Sequence, residues 1–124
     1  MNKYMINMSV PLDENHRNAN IRANILSDSE MRELGFTDFA KDSWYFNRRV
    51  GGKNSYLSLN ITISKRTGNI HIDVLDEMFL QSYDFQMYIG KNEIANKVYD
   101  DVQSYMKYFI DKGVISGYTL GDYI

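Results

Sequence analysis

Residues 69–77 read NIHIDVLDE and set one of the chain's two histidines, His71, among the carboxylates Asp73, Asp76 and Glu77. Side chains of these types hold a divalent metal or relay a proton, and histidine is the one whose charge changes near neutral pH. Strand alternation limits what they do together. His71 and Asp73 point to one face of a strand, while Asp76 and Glu77 fall at its end beside a turn. Structural zinc takes four ligands and catalytic zinc three plus water, so a pair is short of either. The nine residues therefore read as the wet face of a β-strand.

Other chemistry is equally sparse. The absence of cysteine removes thiolate nucleophiles, zinc ribbons, iron–sulfur sites and disulfides, and suits a reducing cytoplasm. There is no G-x-S-x-G elbow. VGGKNS (50–55) lacks the first glycine of a phosphate-binding loop and leads into a strand rather than a helix. Nothing here points to an enzyme, a metal or a cofactor.

The 14 basic and 16 acidic residues leave a net charge of −2. A dedicated nucleic-acid binder carries a clustered basic stripe; here Arg48-Arg49 with Lys53, and Lys65-Arg66, fall at separate turns. The opening MNKYMINMSVPLDE lacks the apolar core of a secretory signal. No stretch approaches the ~20 apolar residues that span a bilayer. A cytoplasmic protein without membrane contact is the expectation.

The elements that would position these residues are more legible. From Asn92 to Lys112, Ile94, Val98, Val102, Tyr105, Met106 and Phe109 recur at three- and four-residue spacing and make one apolar stripe. Asn92 caps the start, and Gly113 supplies the left-handed stop. This predicts a long C-terminal helix over 92–112, with Asp101 and Tyr108 on its outer side.

Upstream, residues 43–50, 55–64 and 69–75 alternate and are separated by turn chemistry, GGKN and KRTG. They predict a three-strand antiparallel meander. Pairing Ile63 with Ile70, Ile61 with Ile72 and Leu59 with Val74 puts the apolar residues on one face; a slip of one residue would reverse it. In the first hairpin, Val50 facing Ser55 sets Arg48, Phe46 and Trp44 against Leu57, Leu59 and Ile61. The inner face is then Trp44, Phe46, Leu57, Leu59, Ile61, Ile63, Ile70, Ile72 and Val74. The other face, with Tyr45, Asn47, Arg49, Tyr56, Ser58, Asn60, Thr62, His71, Asp73 and Leu75, is polar with tyrosines. Arg48 alone points inward, near the sheet's end, and snorkels.

Residues 3–10 alternate and read as a further strand, 20–26 alternate weakly, and Ser27 with Glu30 forms a capping box for a short helix ended by Gly35. Residues 79–89 read as a last strand or an ordered loop, and the aromatic tail SGYTLGDYI is expected to dock. One α+β domain over 1–124 follows, with an antiparallel sheet of four or five strands packed on the long helix.

With these elements placed, SLNITISKRTGNIHIDVLDEMFLQSYDFQMYI resembles small accessory proteins of Gram-positive phages and mobile elements, anti-CRISPR proteins among them. The resemblance spans Trp44 to Ile89 and rests on short length, no cysteine, many tyrosines and weak acidity. It implies a non-enzymatic protein that inhibits a host defence protein by binding it, a CRISPR nuclease being the most specific target. Tyr and Arg anchor protein interfaces, and the expected contact residues are Tyr45, Arg49, Tyr56 and His71 on the open sheet face. A nucleic-acid-binding accessory protein using that face is the alternative, and a self-associating module is a third.

Overall fold

The computed structural model describes residues 21–118. In chain order the elements are β1 (Arg22–Ala23), α1 (Asp28–Glu33), β2 (Ser43–Val50), β3 (Leu57–Ser64), β4 (Ile70–Asp76), β5 (Gln81–Ser82), a 3-10 turn (Phe85–Met87), α2 (Glu93–Asp111) and β6 (Ile115–Ser116). Strands β2-β3-β4-β5 form one antiparallel sheet in sequence order, and β1 pairs separately with β6. The expected strand over 3–10 lies outside the described residues.

The core follows from alternation on the sheet and from the helical stripe. Trp44, Phe46, Leu57, Leu59, Ile61, Ile63, Ile72 and Val74 are buried and Ile70 is half-buried. On α2 the buried positions are Ala95, Val98, Tyr99, Val102, Met106 and Phe109. Phe109 meets Phe46 edge-on at 4.9 Å between ring centroids and Phe36 at 5.3 Å. This aromatic cluster ties the helix to β2, the edge-to-face Phe46–Phe109 pair having the geometry that ring quadrupoles favour. Asn92 Oδ1 accepts from the N–H groups of Ile94 and Ala95 at the helix start, and Gly113 stops it at φ 83°.

Both predicted hairpins exist, but the first is in a different register. Trp44 faces Ile63, Phe46 faces Ile61, Arg48 faces Leu59 and Val50 faces Leu57, a shift of two residues from the expected pairing. The cause is the loop. The Gly51 N–H donates to Asp101 Oδ2 on α2 at 2.9 Å, and Ser55 Oγ accepts from the Leu57 N–H at 2.9 Å. The connection is thereby six residues long. A two-residue shift keeps every side chain on its predicted face, so the apolar pattern is blind to it.

Two helix positions also differ from expectation. Ile94 is half-exposed rather than part of the buried stripe, because it borders an open hollow beyond the sheet's end. Asp101, expected on the outer side with Tyr108, instead turns to the β2–β3 loop. Arg48 does snorkel, with its guanidinium 5.0 Å from the Phe46 ring centre. Ser27 caps the short helix as expected, its Oγ accepting from the Glu30 N–H at 3.3 Å, and the Glu30 carboxylate accepts from the Ser27 hydroxyl at 2.7 Å. Of the described residues 21–26 only Arg22–Ala23 pair as a strand, and of 79–89 only Gln81–Ser82 do. Of the tail only residues 116–118 are described, and among them Tyr118 is buried.

Candidate interaction surface

Each carboxylate of NIHIDVLDE has a structural task. Asp73 Oδ2 accepts from Ser82 Oγ at 2.8 Å, joining β4 to β5. Asp76 Oδ1 accepts from the N–H groups of Met78 and Phe79 at 3.0 and 3.2 Å, an Asx turn that starts the β4–β5 connection. Glu77 Oε1 accepts from the buried Ser58 hydroxyl at 3.0 Å. Ser58 Oγ in turn accepts from Asn60 Nδ2 at 2.9 Å, and Asn60 Oδ1 accepts from Asn47 Nδ2 at 2.6 Å. Among the described residues no group of three or more His, Cys, Asp or Glu is placed to hold a metal ion.

The four expected contact residues do not form one cluster. Tyr45 and His71 lie in one row across the open face, both opposite Thr62. Arg49 lies further along, opposite Ser58 rather than Tyr56, and its guanidinium folds back to donate to the Lys53 carbonyl at 3.0 Å. Tyr56 precedes β3 altogether and borders the hollow at the sheet's end. The two-residue register shift is what parts Tyr56 from Arg49.

Positive charge at the opposite end of the sheet is engaged within the fold. Asp38 binds both Lys65 at 2.9 Å and Arg32 at 3.1 Å. Lys65 Nζ also sits 4.4 Å from the Trp44 ring centre. The hydrogen bond from Lys65, aided by Arg32, holds the Asp38 carboxyl below the usual carboxylate range.

A different surface stands out for its apolar exposure. Tyr56, Met78, Phe79, Leu80, Met87, Tyr88 and Ile94 are large hydrophobic side chains at least 46% exposed. They come from the β2–β3 loop, the β4–β5 turn, the 3-10 turn and the first turn of α2. Phe79 is 68% and Leu80 80% exposed. Two shallow hollows of about 360 and 310 Å³ run through this region and share Tyr83 and Asn92 in their walls. The shared walls make the patch continuous. Tyr83 stacks on Tyr88 with ring centroids 6.1 Å apart, and partial burial raises the Tyr83 hydroxyl above its ordinary pKa.

Local backbone holds the turn outward. Leu80 has φ 54°, a left-handed conformation that few non-glycine residues adopt. With Asp76 fixing the N–H groups of Met78 and Phe79, it presents three consecutive apolar side chains to solvent. Sequence reasoning missed this surface. The available signal was MFL directly after an Asp-Glu pair, three apolar residues in a row where a turn is due. It also missed Phe39, which stacks on Tyr45 at 4.9 Å and is 83% exposed.

No protein-family model matches the chain, and no curated protein sequence matches it. Among solved structures the chain is similar to a DUF1831 family protein from Lactobacillus plantarum, determined at 1.20 Å. The TM-score is 0.62 at 12% sequence identity, over 77% of this chain and 82% of that one. At that identity the likeness shows a shared fold and carries no residue's role. No helix among the described residues is long and apolar enough to cross a membrane.

Proposed function

We propose that this protein acts without catalysis, by binding another protein through the apolar surface at the β4–β5 end of the sheet. One observation carries the reading: six large hydrophobic side chains from four separate segments are exposed around two adjoining hollows, and Leu80 is exposed next to Phe79. Contiguous apolar patches of this kind mark interaction sites. A stable complex needs roughly 800 Å² per partner, within reach of this surface and the polar residues around it. The resemblance to phage accessory proteins supplies the kind of partner, a host defence protein, with a CRISPR nuclease as the most specific target.

The test is a pull-down from nuclease-treated Gram-positive lysate with three forms of the chain. Wild type is expected to retain a protein partner, and Phe79→Ser with Met78→Ser to lose it. Arg49→Ala is expected to behave as wild type, because its side chain is tied to its own loop. Equal retention by wild type and the double variant would sink the reading.

The nucleic-acid alternative rests on the exposed Phe39–Tyr45 stack, a platform on which bases stack. It predicts an affinity that falls steeply with salt and is lost in Phe39→Ala.

A further inference from the structure

The apolar patch has an acidic border. From Asp73 to Glu93 the chain carries five carboxylates, Asp73, Asp76, Glu77, Asp84 and Glu93, and one lysine, Lys91. Asp76 borders the first hollow and Asp84 the second. Asp76 and Glu77 are held by backbone N–H, hydroxyl and amide groups. These neutral donors fix the positions of both residues without placing a cation beside them. The cations Lys65 and Arg32 are paired with Asp38, away from both hollows; Lys53, beside Asn54 of the first hollow's wall, and Arg49, bonded to the Lys53 carbonyl, are the positive charges on the β2–β3 side of the patch.

Resting on the binding reading above, we infer that the partner segment seated on this patch is a basic amphipathic polypeptide. Its apolar side chains enter the two hollows between lysines or arginines that face the acidic border. Charge complementarity selects it over the other occupants of an apolar surface. A second copy of this chain, docked by the same patch about a two-fold axis, would bring like-charged borders together. An anionic bilayer would repel the border as well. A basic segment gains attraction where each of those alternatives meets repulsion, and the patch supplies the apolar anchors that charge alone lacks.

The test uses defined probes. A fluorescent 14-residue peptide of leucine and lysine, with leucines spaced for one helical face, is compared with its leucine–glutamate counterpart by anisotropy at 0.15 M salt. The lysine peptide is expected to bind at least 10-fold tighter. Asp84→Asn with Glu93→Gln should shrink that ratio several-fold, and Phe79→Ser should weaken binding at least 10-fold, each variant being checked for an unchanged melting curve. Equal affinity for both peptides, lost in Phe79→Ser, would overturn the charge inference and leave the apolar site standing. Lysine-peptide binding that ignores Phe79→Ser would place the peptide elsewhere and overturn the inference. So would no binding of either peptide to wild type, in which case the lysate experiment decides the binding reading separately. Self-association of wild type in sedimentation, abolished by Phe79→Ser, would assign the patch to a second copy and overturn it too.

Discussion

Leu80 shows how a single residue trades stability for presentation. A left-handed backbone costs an L side chain roughly 1–2 kcal/mol, and Leu80 buries little in return. Replacing it with glycine removes that penalty and restores roughly 0.5–1 kcal/mol of backbone entropy cost. Leu80→Gly is expected to raise stability by up to about 1 kcal/mol in urea unfolding while weakening the partner complex. A loss of stability would mean that the side chain is anchored. Asp38 makes the opposite kind of contribution. Its carboxyl is held low by Lys65 and Arg32, so folding favours the ionised form. That stability is present above the ordinary carboxylate range and is lost as pH falls through the lowered value. The melting difference between wild type and Asp38→Asn should be widest near neutral pH and close in acid. A difference independent of pH would show that packing, not charge, is at work.

Among the elements, the contact between α2 and the β2–β3 loop is the one that decides geometry. Asp101 accepts from the Gly51 N–H and pairs with Lys97 at 2.9 Å. Asp111 pairs with Lys107 at the same helical spacing, but both side chains are about 60% exposed. A surface pair of that kind contributes roughly 0.3–0.5 kcal/mol, whereas stripping a part-buried N–H of its acceptor costs about 1–3 kcal/mol. Asp101→Ala should therefore destabilise the protein several-fold more than Asp111→Ala in chemical unfolding. Equal effects would mean that water replaces Asp101 at the loop. Gly51 sits at φ 87°, and a Cβ there would lie 2.9 Å from Val98 Cγ2. The loop therefore reaches the helix only because glycine occupies that position.

At the scale of the whole molecule, hydrogen-bonded polar groups cover one sheet face, the helix covers the other, and the sheet's end at the β4–β5 turn is left apolar. The proposed function and the basic partner segment both belong to this scale. Sequence periodicity alone determined the α+β class, the meander, the long helix and which residues of each strand turn inward. Burial acts on every second residue of a strand and on every third or fourth of a helix, so it leaves a local trace. It also placed Asp76 and Glu77 at the end of their strand, beside a turn. Only the tertiary structure decided the register of the first hairpin, since a two-residue shift preserves the alternation and the choice is made by Gly51 meeting Asp101, fifty positions away. That choice moved Tyr56 from beside Arg49 on the sheet face to the sheet's end. There it joins Phe79, Met87 and Ile94, residues from distant segments whose shared exposure depends on where the chain brings them together.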